Sequence, residues 1–162
     1  MESIRRYVIE SWDKYRVYCD LDGVLTDFIE AFKKHTGLHP KQVDKFWTYI
    51  EGNESYWSAM RWMPGGKLLW TFIKQFNPTI LTAPIRDASC ISGKNKWVDK
   101  NLGYTIPRII ESQKQKYANP TAILIDDTKE KIDAWVKAGG IGILHKNAAK
   151  TIKDLKRLIG MR

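Results

Sequence analysis

The sequence predicts an α/β fold: a parallel sheet flanked by helices, with a small, mainly helical insertion after the first strand. Three observations predict it. Short apolar runs alternate with amphipathic stretches along the whole chain, as strands and helices do around a parallel sheet. Two of those runs end in neighbouring acids, Asp20 and Asp22 in one case and Asp126 and Asp127 in the other. A segment crowded with aromatic residues then interrupts the alternation once, between the first and second strand-helix units.

The strands are expected at Arg16–Cys19, Thr79–Leu81, Thr105–Ile110, Ala122–Ile125 and Gly140–Leu144. Pro107 weakens the third, because proline cannot donate to a ladder. Helices fill the gaps. Phe28, Ile29 and Phe32 recur at helical spacing before Gly37, a C-terminal stop. Leu68, Leu69, Phe72, Ile73 and Phe76 mark a helix after Pro64-Gly65-Gly66, and Trp97, Val98 and Leu102 another before Gly103. Ile132, Trp135 and Val136 mark a fourth, and Ile152, Leu155, Leu158 and Ile159 a fifth. These stripes face a core. Residues 36–63 have no clear strand and carry Phe46, Trp47, Tyr49, Tyr56, Trp57 and Trp62. They read as an insertion above the carboxyl ends of the strands, where open α/β sheets bind ligands.

A chain of 162 residues with 43% hydrophobic and 12% aromatic content can bury a core, which excludes global disorder. No apolar run approaches the roughly 20 residues of a membrane span, so no membrane partner is expected. The opening MESIRRYVIESWDKYR lacks the apolar stretch of a secretory signal. Cys19 and Cys90 form neither a zinc pattern nor a disulfide framework. A cytoplasmic location follows as the default. Lys and Arg number 27 against 18 Asp and Glu, a formal net charge of +9. Such a surface attracts nucleotides, nucleic acid or other anions, although basic solvated faces are common.

The strongest chemical signal is Val17-Tyr18-Cys19-Asp20-Leu21-Asp22-Gly23. An apolar strand runs directly into two carboxylates one residue apart. Repulsion and desolvation make that pair costly for folding alone. A divalent cation relieves the cost and leaves the first carboxylate free to act as a nucleophile. Gly23 permits a tight exit around a phosphate. A calcium loop does not fit, since glycine stands fourth rather than sixth from Asp20 and Ala31 occupies the place of the closing Glu. Ala122-Ile123-Leu124-Ile125-Asp126-Asp127 repeats the pattern. Taken alone this second pair could cap the following helix, and Thr82 could be a turn hydroxyl.

With these motifs in order, the chain resembles the haloacid dehalogenase-like (HAD-like) hydrolase superfamily over roughly Tyr15 to Leu144. That resemblance implies a Rossmann-like core of residues 1–35 and 64–162, with 36–63 as a cap. It makes Asp20 the nucleophile and Asp22 the acid and base. Thr82 and the Ala83 backbone N–H become phosphate contacts. A magnesium ion is implied on Asp20, the Asp22 carbonyl and Asp126, with Asp127 orienting metal-bound water or the site lysine. Lys116, ten residues before Asp126, has the spacing of the superfamily's lysine, and Lys114 competes for the place. Arg86 is either a further phosphate clamp or a solvated surface charge.

Leu81-Thr82-Ala83-Pro84-Ile85-Arg86, Lys96-Trp97-Val98 and Asn101-Leu102-Gly103 look more narrowly like the 5'-(deoxy)nucleotidases. That family often has serine where Ala83 stands. The likeness implies a nucleoside monophosphate substrate, with Phe46, Trp47, Trp57 or Trp62 stacking the base or forming the cap's own core. Two alternatives remain. The basic face Lys150, Lys153, Lys156 and Arg157 suits a polynucleotide end phosphatase. The same surface suits a non-catalytic nucleic-acid-binding protein with this fold.

Overall fold

The computed structural model describes residues 12–162; most of the opening segment, read above for a secretory signal, lies outside them. Five strands form one sheet: β1 (Arg16–Cys19), β2 (Thr79–Thr82), β3 (Arg108–Ile110), β4 (Ala122–Asp126) and β5 (Ile141–Leu144). Their order is β3-β2-β1-β4-β5, and every neighbouring pair is parallel. β2 and β4 are buried along their whole length, and β1 along all but its first residue. Strands covered on both faces read as unbroken apolar runs, which is why they were legible.

Alternate side chains divide between two clusters. Val17, Cys19, Ile80, Ile123 and Ile125 point into the larger one. Tyr18, Leu81 and Leu124 point the other way, against Ile132 and Trp135. The helices are α1 (Phe28–Thr36), α2 (Glu54–Ser58), α3 (Gly66–Ile73), α4 (Ala88–Asn101), α5 (Lys129–Lys137) and α6 (Ala148–Ile159). α5 supplies Ile132 and Trp135 to the smaller cluster, whereas α3, α4 and α6 supply the larger. This is a Rossmann-like layered α/β fold.

Some boundaries differ from expectation. The strand expected from Thr105 begins only at Arg108. Pro107 has no N–H to pair, though its carbonyl still accepts the Ile80 N–H at 2.9 Å. β2 and β4 each run one residue further than expected, to Thr82 and Asp126, because the ladder continues to Thr82↔Ile110 and Asp126↔Leu144. β5 opens at Ile141 rather than Gly140.

Residues 36–63 contain two 3-10 turns, Pro40–Gln42 and Phe46–Tyr49, and the short α2. α1 and this segment together leave and rejoin the sheet at adjacent points. Asp27 N–H donates to the Arg61 carbonyl at 2.9 Å, and Met63 N–H to the Leu25 carbonyl at 2.7 Å. Thr26 and Trp62 form an antiparallel bridge between these contacts. α2 lies directly on α4 at Gly93. A Cβ there would stand 2.5 Å from Trp57 Cβ and 2.6 Å from the Glu54 carbonyl oxygen. Glu54 also accepts the Ser92 hydroxyl and pairs with Lys96, and Gly52 N–H donates to Asp87 at 2.9 Å.

Candidate active site

β1 and β4 are neighbours in register, with Cys19 beside Ile125. The next residue on each is an acid, so parallel pairing alone brings Asp20 and Asp126 together. Asp20 N–H donates to the Ile125 carbonyl at 3.0 Å. Asp20 is 3% exposed and Asp126 fully buried. Carboxylate oxygens of Asp20, Asp126 and Asp127 all lie within 4.8 Å of one another.

The loop after β1 closes against this cluster. The Leu21 carbonyl accepts the N–H groups of Val24, Leu25 and Thr26 at 3.0, 2.8 and 2.9 Å. Gly23 has φ +82, and a Cβ there would fall 2.0 Å from Asp127 Oδ2. Glycine is therefore required twice over at this position, for the left-handed backbone and for the space taken by the carboxylate.

The buried acids share one cation, and it is Lys114. Its Nζ lies 2.9 Å from Asp20 Oδ1 and 2.6 Å from Asp126 Oδ2, with the side chain 2% exposed. Burial disfavours the ammonium, yet Asp20 and Asp126 outweigh it and raise the pKa of Lys114. Burial likewise works against the Asp20 carboxylate, but Lys114, Lys131 and Lys94 hold its pKa below the ordinary range. Asp126 goes the other way, raised by burial and by the Asp20 charge against the pull of Lys114. Asp127 is pushed up to about 6 by partial burial and by Asp20 and Asp126.

Lys116, which the spacing to Asp126 favoured, points out to solvent and pairs with Glu111 at 3.0 Å. The 3-10 turn Lys114–Tyr117 turns its first residue inward and its third outward. Spacing along the chain does not reveal that orientation.

Asp22 is held by both carboxylate oxygens. Thr26 Oγ1 donates to Oδ1 at 2.9 Å, and Lys94 Nζ donates to Oδ2 at 2.7 Å. Lys94 is 3% exposed and also donates to Thr82 Oγ1 at 2.9 Å and to the Ala83 carbonyl at 2.7 Å. Its ammonium stands 5.2 Å from the Trp57 ring centroid. This residue escaped the reading of the sequence, although a signal was present. Cys90, Lys94, Trp97 and Val98 share one buried face of α4, and a lysine in an apolar stripe needs a partner.

A cleft of about 440 Å³ opens over these groups. Asp20, Asp22, Gly23 and Asp127 line its floor, and Ala83, Pro84 and Ile85 one side. Phe28, Phe46 and Trp57 form an aromatic wall, and the insertion adds His39, Pro40 and Lys41. Trp57 is buried, and its Nε1–H lacks an acceptor among the described residues.

Of the remaining expected contacts, Thr82 is buried behind the cleft and engaged by Lys94. Arg86 is exposed and outside the lining. Trp47 is 44% exposed, packs edge-on against Phe46 at 5.4 Å, and is also outside it. Trp62 packs on Trp97 at 5.0 Å. The cleft thus takes Phe46 and Trp57 from the insertion's aromatic residues, with Phe28 from α1.

No family model matches the chain, and no curated protein does. Solved structures similar to it include a hydrolase from Streptococcus pneumoniae TIGR4, 17% identical, covering 91% of this chain and 100% of that one with a TM-score of 0.49. A hydrolase from Pseudomonas syringae is 12% identical over 89% of this chain and 99% of that one, with a TM-score of 0.47. A HAD hydrolase, family IA, variant 3, from Entamoeba histolytica is 16% identical over 91% of each chain, with a TM-score of 0.45. At identities and scores this low, the fold and the site stand on the geometry of the chain itself.

Proposed function

We propose that this chain is a magnesium-dependent HAD-like phosphomonoester hydrolase that acts through an aspartyl-phosphate on Asp20, with nucleoside and deoxynucleoside 5'-monophosphates as its substrates. The observation that carries the reading is the convergence of Asp20, Asp126 and Asp127 within 4.8 Å at the floor of a cleft that also exposes Asp22. Hard carboxylate oxygens without a histidine or thiolate among them suit magnesium better than zinc.

The Asp20 and Asp126 carboxylates and the Asp22 carbonyl would hold the ion, with Asp127 beside them. Bound magnesium would supply the positive charge that lets an anionic nucleophile meet an anionic phosphate. Asp20 attacks phosphorus in line, and the bond to the leaving oxygen breaks. Asp22 gives that oxygen its proton, then takes one from the water that cleaves the aspartyl-phosphate, restoring Asp20 and releasing inorganic phosphate. Lys114 balances the Asp20 charge throughout, while Lys94 and Thr26 keep Asp22 in one orientation. The Ala83 backbone and Thr82 shape the phosphate end. Phe28 and Phe46, backed by the buried Trp57, accept a flat ring on the leaving group.

Hydrolysis of p-nitrophenyl phosphate and of a nucleotide panel, with magnesium and then with chelator, tests the reading. Turnover should require the metal and vanish in Asp20→Asn protein that remains folded. Undiminished turnover by that variant overturns the assignment. A second reading, removal of a phosphate from a nucleic-acid end, draws on one observation. An open groove of about 490 Å³ along α6 is lined by Lys153, Lys156, Arg157 and Arg162, with no acid in its lining. Steep salt dependence confined to oligonucleotide substrates favours it.

A further inference from the structure

Two side chains on the insertion's part of the cleft have no place in the hydrolysis described above. His39 and Lys41 flank Pro40 at the start of the Pro40–Gln42 turn, and all three line the cleft. His39, the residue before the turn, caps it with both its backbone and its side chain. His39 N–H donates to Gln42 Oε1 at 2.8 Å, and His39 Nδ1 accepts the Lys41 N–H at 3.0 Å. Proline at the first position adds a fixed φ.

With Nδ1 engaged by the Lys41 N–H, Nε2 is the ring nitrogen left to meet a ligand. Lys41 is exposed, and no ion pair engages it among the described residues. The turn therefore offers an ammonium and an imidazole nitrogen on a rigid support. Phe46 and Trp57 line the same cleft as the turn and the acids, and the Trp57 Nε1–H has no acceptor among the described residues.

The cleft accordingly has three chemistries: acids with Lys131 among them for a metal and a phosphate, an aromatic wall, and a second cationic group, the His39–Lys41 turn, on the insertion. A single phosphate on a neutral ring satisfies only the first two. We propose that the His39–Lys41 turn is a subsite for a second phosphate group carried on the leaving group, so that nucleotides bearing two phosphates are selected over those bearing one. This rests on the phosphomonoesterase reading and narrows its substrate class. The shared chemistry is a phosphate remote from the scissile ester, found both in nucleoside bisphosphates and at the phosphorylated ends of oligonucleotides. Only the ester at Asp20 is cleaved. Water supplies the oxygen that ends on inorganic phosphate, the leaving oxygen gains a proton, and the second phosphate departs intact with the alcohol. The net charge of +9 adds long-range attraction for such polyanions.

The test compares kcat/KM for adenosine 5'-monophosphate, adenosine 3',5'-bisphosphate and a 5'-phosphorylated dinucleotide, using the wild type, Lys41→Ala and Lys41→Glu. Binding of the same three compounds to Asp20→Asn protein, with and without Lys41→Ala, is measured by titration calorimetry. The two compounds bearing two phosphate groups should be preferred by about tenfold, one charge-assisted contact. Lys41→Ala should bring that ratio close to unity, and Lys41→Glu should invert it. Preference for the bisphosphate alone assigns a terminal phosphate, and preference for the dinucleotide alone assigns a nucleic-acid end. A ratio that Lys41 substitution does not move, or no preference in the wild type, overturns the subsite. Turnover of all three compounds at equal rates sinks the subsite and spares the hydrolase. Lys41-dependent binding without any turnover does the reverse.

Discussion

The Lys94 ammonium lies 2.7 Å from Asp22 Oδ2, beneath the cleft rather than in its lining. Its other donors reach the Thr82 hydroxyl and the Ala83 carbonyl. One lysine thus ties the loop after β1 to the end of β2, and with Thr26 it leaves Asp22 a single orientation.

Lys94→Met is expected to lower kcat by about a hundredfold, the scale of loss when a reacting group is misplaced by an ångström. KM should change less, because Lys94 does not line the cleft. Steady-state kinetics on p-nitrophenyl phosphate separate the two constants. An unchanged kcat would remove Asp22 as the group that Lys94 serves.

Lys114 and Lys116 should behave oppositely. Lys114→Ala leaves Asp20 and Asp126 buried without their cation and should cost about 3 kcal/mol of stability, together with activity. Lys116→Ala removes an exposed pair with Glu111 and should stay within about 0.5 kcal/mol of wild type. Urea unfolding of both variants measures the difference, and equal losses would contradict the turn geometry.

Magnesium should stabilise the protein in a pH-dependent way. Asp127 has its carboxyl raised to about 6, so its ionised form destabilises the metal-free fold, and that penalty is relieved as pH falls through about 6. His145 acts in the opposite sense. Burial lowers its pKa, so the unfolded chain binds a proton first as pH falls. The Tm increment on adding magnesium cancels the His145 contribution. It should be largest above about pH 7 and shrink through about 6, as protons compete for the acids. Thermal unfolding with and without magnesium checks this, and a constant increment would exclude Asp127 from the site.

Gly93→Ala should loosen the insertion from α4. The added Cβ meets Trp57 Cβ at 2.5 Å and the Glu54 carbonyl at 2.6 Å, and the forced backbone shift should cost about 1–3 kcal/mol. The aromatic wall moves with Trp57, so KM for nucleotides should rise more than KM for inorganic-like small esters. A variant as stable as wild type would show that this contact is not tight in solution.

Most of the sheet was legible because buried parallel strands must be apolar along their whole length. β3 was overread by three residues, where Pro107 interrupts the ladder, and β5 by one, Gly140. The meeting of Asp20 with Asp126 was legible too, since each ends an apolar run. Lys114 could not be separated from Lys116 by counting, because a 3-10 turn of four residues is too short to show a repeat from which to read direction. The same limit explains Trp47 and Trp57, which sit in a segment without any period. Lys94 was missed for another reason: the apolar stripe of α4 was read for packing, and the charge within it was passed over.

The paired hydrogen bonds Asp27 to Arg61 and Met63 to Leu25 give the insertion a closed neck. Each doubling of a flexible loop adds only about 0.6 kcal/mol of closure entropy. Residues 38–49, between α1 and the part packed on α4, can therefore lengthen, shorten or change chemistry while β1 and its acids stay in place. Reaction and selectivity become separable traits, so a graft of a different 38–49 segment should redirect what is hydrolysed without rebuilding how.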